Sequence, residues 1–259
     1  MHSAFDDIAL SYDILEAENP ILQWMRRRVH QAALAAFAGR RRLIEIGSGT
    51  GTDAVFFAQH GFEVLGLEPS SEMLLIAREK AAAADCAHRV SFVQAAAEEL
   101  RHVAPVGLCD GLFSNFGALN CVAHLDKFAQ HAARALKFGA PVLFVYMPPI
   151  CPWEIGYHLL HGQVRKAFRR KKDDAGTLVS LARHAIRTYY FSPAQIISCF
   201  EPQFILERQF SLGLLAPPPY VSKRSARLLH KVIASEEKIA EQWPFRNFGD
   251  HLVFQFRRL

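Results

Sequence analysis

Leu43-Ile44-Glu45-Ile46-Gly47-Ser48-Gly49-Thr50-Gly51-Thr52 is the stretch on which the fold turns. An apolar run with β character breaks into glycines at alternate positions and passes into an amphipathic helix. A second apolar run, Val64-Leu65-Gly66-Leu67-Glu68-Pro69-Ser70, follows and ends on a carboxylate. Two parallel strands joined by a helix, with glycines after the first and an acid closing the second, hold a ribose between their ends and define a nucleoside-cofactor site.

The loop differs from a dinucleotide fingerprint. That pattern, G-x-G-x-x-G, uses its third glycine for close helix–strand packing and seats a pyrophosphate on the helix N-terminus. Here the third glycine comes one place early, at Gly51, and Thr52 stands where Gly or Ala is wanted. Glu45, inside the strand just before the loop, repels a pyrophosphate and attracts an ammonium group. The loop therefore suits a ligand carrying positive charge.

At these residues the chain resembles the class I S-adenosylmethionine-dependent methyltransferases, which place an acid within a strand before G-x-G-x-G. The resemblance implies S-adenosyl-L-methionine as cofactor. Gly47, Ser48, Gly49, Gly51 and Thr52 would form the loop against it, Glu45 would lie near its amino-acid end, and Glu68 would accept both ribose hydroxyls, with Pro69 and Met73 beside them. The third strand, Val90 to Gln94, leads to Ala95-Ala96-Ala97-Glu98-Glu99-Leu100. Ala96 stands where the family often has Asp facing the adenine, so that contact passes to the backbone of Ala97 or the side chain of Glu98. Asp110 to Gly117 resembles the fourth strand and its loop, where cofactor and acceptor meet, with Asn115 and Phe116 as contacts. The Asn/Asp-Pro-Pro-aromatic motif of enzymes that methylate nucleobase amines or glutamine is missing from that loop.

The N-terminal segment Phe5 to Asp13 is similar to the opening helix of quinone- and biotin-pathway methyltransferases, in which an aromatic residue covers the cofactor; Tyr12 is that candidate, and an ordinary surface tyrosine is the alternative.

With 259 residues, 51% hydrophobic and 21% charged, the chain suits one α/β domain with a substantial core. The expected fold is a Rossmann-like, seven-stranded, mostly parallel sheet with helices on both faces and a helical cap made from insertions. The core would span about 38–147, 201–210 and 251–259, and the cap about 1–37, 148–200 and 211–250. No apolar run reaches the roughly 20 residues of a membrane helix, and Asp6, Asp7 and Asp13 near the start do not suit a signal peptide, which points to the cytosol. Five cysteines form no C-x-x-C pair and twelve histidines show no ligand spacing, so no metal site is expected.

The insertions are expected to form the acceptor pocket. Ile155, Leu159, Leu160, Val164, Ala167 and Phe168 recur at helical spacing and read as a helix packed on the sheet, with an apolar lid over the pocket as the alternative. Trp153 and Glu154, after the fifth strand, are candidate acceptor contacts, as are Tyr146 and His158. Tyr146, Glu154, His158 and His161 could accept a proton, but no dyad spacing selects one. The basic run Arg165 to Lys172, with a net charge of +5, reads best as a solvated helix end; RNA, anionic lipid surfaces and acidic substrates are the alternatives. Arg246, Asp250 and His251 read as a structural cluster rather than a catalytic one. The expected activity is methylation of a small, hydrophobic or aromatic molecule, with an RNA methyltransferase or a non-catalytic S-adenosylmethionine-binding protein as alternatives.

Overall fold

The computed structural model describes residues 4–170, 175–181, 183–219 and 226–259. Its strands are β1 (Arg42–Ile46), β2 (Glu63–Glu68), β3 (Val90–Gln94), β4 (Gly111–Ser114), β5 (Pro141–Tyr146), β6 (Thr177–Leu181), β7 (His184–Thr188), β8 (Phe204–Leu212) and β9 (His251–Arg258). The helices are α1 (Ala9–Ala17), α2 (Pro20–Ala36), α3 (Thr52–Gln59), α4 (Ser71–Ala83), α5 (Leu100–Val103), α6 (Leu125–Ala135), α7 (Pro152–Leu160), α8 (Val164–Ala167), α9 (Pro193–Phe200) and α10 (Ala226–Ile239).

Seven strands form one sheet in the order β3-β2-β1-β4-β5-β9-β8. β9 runs antiparallel to both neighbours, and the strands from β3 to β5 are parallel. The apolar runs read in the sequence are continuous because both faces of the central strands are covered. Leu112 and Phe144 join the layer containing Phe128, Phe200, Phe254 and Phe256, whereas Phe113, Leu143 and Val145 face Trp24, Val29, Phe37 and Phe57. Strand order reverses between β1 and β4, which opens a crevice at their carboxyl ends.

Local signals in the sequence set the elements around that crevice. Ser70 caps α4 by accepting the Met73 amide at 3.1 Å. Asn19 caps α2, taking the Ile21 amide at 3.0 Å, with Pro20 at the first helical position. Gly61, at φ +90°, ends α3.

The cap departs from the helical form expected. Residues 148–200 carry α7, α8 and α9 together with an antiparallel hairpin, β6–β7. The helical pattern of Ile155 to Phe168 is interrupted at Gly162, φ +68°, and its apolar side is not packed on the sheet: Leu159, Leu160, Val164 and Phe168 are exposed. The buried residues of α7 are Glu154 and His158, one turn apart, because Glu154 pairs with Arg170 at 2.7 Å and Arg170 with Asp250 at 2.6 Å. Lys171 and Lys172, the end of the basic run, lie outside the described residues. Glu236 of α10 anchors the last insertion, accepting the amides of Gly213 (2.6 Å), Leu215 and Ala216 (both 3.0 Å). No helix among the described residues is long and apolar enough to cross a membrane.

Candidate active site

The crevice between β1 and β4 opens into a cavity of about 400 Å³. Leu67 O accepts the amides of Gly47 (2.8 Å) and Ser48 (3.1 Å), which folds the glycine loop back over the end of β2. The carboxylate of Glu68 then reaches the loop: one oxygen accepts the Gly49 amide and the other the Ser70 amide, each at 2.9 Å. Burial raises the Glu68 pKa, with the two amides working against it.

The glycines have different reasons for being there. A Cβ on Gly51 would sit 2.9 Å from Ala77 Cβ, so this glycine lets α3 and α4 approach; a Cβ on Gly49 would meet nothing within 4 Å. Both have positive φ, +76° and +51°. Gly49 thus presents bare backbone to open space, a cradle that a side chain would fill.

Tyr12, Gly47, Gly49, Glu68, Pro69, Met73, Ala97, Glu98, Asn115 and Phe116 all line the cavity. Glu45, Ser48, Gly51 and Thr52 do not. Glu45 is buried beneath the loop, where burial and then the negative charge of Asp53 hold its carboxyl well above the usual range. One Glu45 carboxylate oxygen and the Ser48 hydroxyl are buried without a hydrogen-bond partner, so the loop retains unused polar capacity. The Thr52 hydroxyl accepts from Lys80 Nζ at 2.7 Å.

Four other expected contacts lie away from the cavity. The Tyr146 hydroxyl donates to Tyr189 O at 2.7 Å, and burial raises its pKa. The Trp153 indole donates to Leu215 O at 2.5 Å, and His158 Nδ1 lies 3.0 Å from Gln163. Glu154 belongs to the buried group containing Arg170 and Asp250; burial raises the Asp250 pKa, but His251 and Arg170 more than offset it and hold it well below the usual carboxylate range. Cys151, Glu154 and Asp250 cluster closely enough to suggest a cation site, but the Arg170 guanidinium already bridges the two carboxylates. Arg246 contributes its carbonyl, which accepts from Gln209 at 2.9 Å.

Two features of the cavity were not read from the sequence. Val179, Leu181, Ile186 and Thr188 of the β6–β7 hairpin form its apolar wall beside Val122 and Met147. Asn120 ties that hairpin down, donating to Tyr189 O (2.8 Å) and Met147 O (3.0 Å) and accepting the Met147 amide (2.9 Å). The alternation of Thr177 to Leu181 and His184 to Thr188 is the signal that could have found it.

The second feature is a buried polar group centred on Asp53 at the start of α3. Asp53 accepts from Asn115 Nδ2 at 2.9 Å, contacts His30 Nε2 at 2.6 Å and forms an ion pair with Arg26. Although burial works to raise its pKa, Arg26 and His30 hold it well below the ordinary value. Arg26 in turn lies 4.8 Å over the Phe116 ring. Phe116 adopts φ +44°, a conformation that a bulky side chain seldom takes, and so is held where the cavity meets this group.

α1 closes the cavity from above. Asp13 pairs with Lys80 at 2.7 Å and accepts from Thr50 at 2.5 Å, while Ser70 donates to Asp6 at 2.5 Å. Burial, opposed by Arg26, pushes the Tyr12 hydroxyl up to about 12, so the ring faces the cavity as a neutral phenol.

A mostly parallel sheet of this order, with a glycine loop after β1 and an acid ending β2, defines a Rossmann-like fold. Residues 43–139 match the family model described as a methyltransferase domain. That match spans the glycine loop, the acid ending β2 and the strands around them, so this part of the chain is similar to the methyltransferase domains of that family. The chain is 32% identical over 150 residues to the demethylmenaquinone methyltransferase of Thermus thermophilus, covering 56% of this chain and 64% of that one. A ubiquinone/menaquinone biosynthesis C-methyltransferase of Francisella tularensis is 28% identical over 155 residues, covering 57% of this chain and 60% of its own. The chain thus spans a little under two thirds of each relative. Among solved structures, the geranyl diphosphate C-methyltransferase of Streptomyces coelicolor superposes with a TM-score of 0.59 at 13% identity, covering all of this chain and 85% of that one. An S-adenosylmethionine dependent methyltransferase from Mesorhizobium loti gives 0.57 at 18% identity, covering 88% and 95%. At these identities the two structures support the fold alone.

Proposed function

We propose that this chain transfers a methyl group from S-adenosyl-L-methionine to a small apolar or aromatic acceptor, working as one domain in the cytosol. The observation that carries the reading is the Glu68 carboxylate set against the Gly49 amide at 2.9 Å, at the edge of a cavity whose other wall is apolar. The bare backbone at Gly49 and the unpartnered polar atoms of Glu45 and Ser48 fit a nucleoside that carries an amino-acid tail. Glu68 would hold the ribose, Ala97 and Glu98 would border the base, and Tyr12, Asn115 and Phe116 would enclose the reacting end.

The bound cofactor supplies a methyl group activated by a positively charged sulfur. The chain's own part is to align the acceptor and exclude water. Val179, Leu181 and Ile186 of the hairpin supply the apolar wall for the acceptor, and α1 covers the opening. Among the described residues the cavity wall holds no histidine, and its carboxylates, Glu68 and Glu98, are given to the cofactor, so no side chain is assigned as proton acceptor. The Thermus and Francisella relatives carry quinone-methyltransferase names, which supports an aromatic acceptor here.

Calorimetric titration tests this reading. The chain binds S-adenosylmethionine and S-adenosylhomocysteine, Glu68→Ala weakens both, and Gly49→Arg abolishes binding while the protein stays folded. Unchanged binding in Gly49→Arg would refute the site.

A further inference from the structure

The α7–α8 corner has an inverted distribution of side chains. The inward positions of α7 are taken by Glu154 and His158, whereas Leu159 and Leu160 point to solvent and Ile155 is half-buried. Leu160 is 88% exposed, Val164 58%, Leu159 46% and Phe168 44%. They lie on either side of the turn at Gly162, with Phe168 one helical turn beyond Val164, and exposed Arg165 and Lys166 stand among them. Single exposed apolar residues are ordinary, but aliphatic and aromatic side chains gathered at one projecting turn mark an interaction surface.

We infer that this corner docks the protein on a lipid surface containing anionic phospholipid. Leucine, valine and phenylalanine side chains enter the headgroup boundary, and the neighbouring cations meet lipid phosphates. Charge complementarity selects this occupant. In a symmetric pair of chains the same patch faces itself, which gathers the Arg165 and Lys166 of both copies in one interface, where the patch, Leu159 to Phe168, holds no carboxylate to offset them. A nucleic-acid surface would engage the cations but leave Leu159, Leu160 and Val164 with nothing to bury against, since aliphatic side chains offer no stacking face. The corner also adjoins the hairpin that walls the cavity: the Thr177 hydroxyl at the start of β6 donates to Arg169 O at 3.4 Å. A docked protein would therefore hold that hairpin close to the lipid.

Vesicle cosedimentation with the full chain tests the inference and requires no methyl transfer, so it stands or falls separately from the enzymatic reading. The protein should sediment with vesicles of equal phosphatidylcholine and phosphatidylglycerol and much less with phosphatidylcholine alone, and raised salt should release it. Arg165→Gln with Lys166→Gln should lower partitioning about thirtyfold, since each basic side chain near an anionic surface contributes about 1 kcal/mol. Leu160→Ser with Val164→Ser should lower it by about tenfold or more. These side chains are exposed, so unchanged thermal unfolding checks that both variants stay folded. Equal sedimentation with both vesicle types, or with neither, would overturn the inference. So would a dimer in sedimentation velocity that the Leu160→Ser/Val164→Ser variant abolishes, because the patch would then belong to a second copy.

Discussion

Two buried carboxyls beneath the glycine loop are shifted in opposite directions, and each makes a separate prediction. Asp53 is held below its ordinary pKa by Arg26 and His30, so its contribution to stability is present above the unfolded value and is lost as pH falls through the folded one. Asp53→Asn leaves Arg26 buried with only Glu16 as an ion-pair partner, which should destabilise the fold by about 3–5 kcal/mol at neutral pH. Urea unfolding should show this gap narrowing in acid. Glu45 is shifted upward, chiefly by burial, so the stability of its protonated form is present below the unfolded pKa and declines as pH rises through the folded one. Glu45→Gln cannot ionise and should be more stable than the parent chain at neutral pH, with the advantage disappearing in acid. A Glu45→Gln variant that loses stability at neutral pH would show instead that the ionised carboxylate is needed there.

At the scale of elements, the β6–β7 hairpin is the part of the cavity that differs most from the sequence reading. The β1 loop and Glu68 were legible because each is marked by residues close together in the chain. The hairpin left a weaker trace: its strands alternate, but Ala182-Arg183 between them lacks the glycine or asparagine that marks a tight turn. Trp153, Glu154 and His158 lie apart from the cavity for a related reason. They follow β5 closely in the chain, yet Glu154 pairs with Arg170, and Arg170 with Asp250 eighty residues on, contacts that no local pattern announces. If the hairpin is the acceptor wall, Ile186→Ala should raise the acceptor KM several-fold while leaving the S-adenosylhomocysteine Kd unchanged, because Ile186 belongs to the cap and not to the β1 loop or the end of β2. Equal losses in both constants would assign the hairpin to cofactor retention.

On the scale of the whole molecule, the sheet is a rigid base with two covers of different construction. The sheet buries aromatic side chains on both faces, whereas α1 and the turn before it are held by polar contacts: Asp6 of that turn with Ser70, and Asp13 and Glu16 of α1 with Thr50, Lys80 and Arg26. The outward side of α1 exposes Leu10, Ile14 and Leu15, so little apolar burial secures it. Elements held in this way open locally at a small fraction of the global unfolding free energy. A ligand that binds only the closed form suppresses that opening in proportion to its occupancy, and at a hundredfold excess over Kd it stabilises the fold by about 2.7 kcal/mol. Hydrogen exchange with and without S-adenosylhomocysteine should therefore show protection rising in residues 9–17 and in β6–β7, with little change in β4 and β5, whose amides are already protected by the sheet. Thermal unfolding should shift upward in the same samples, and Gly49→Arg should show neither effect. A uniform rise across every strand, with α1 unchanged, would mean that the ligand stabilises the sheet directly and that α1 is not a cover.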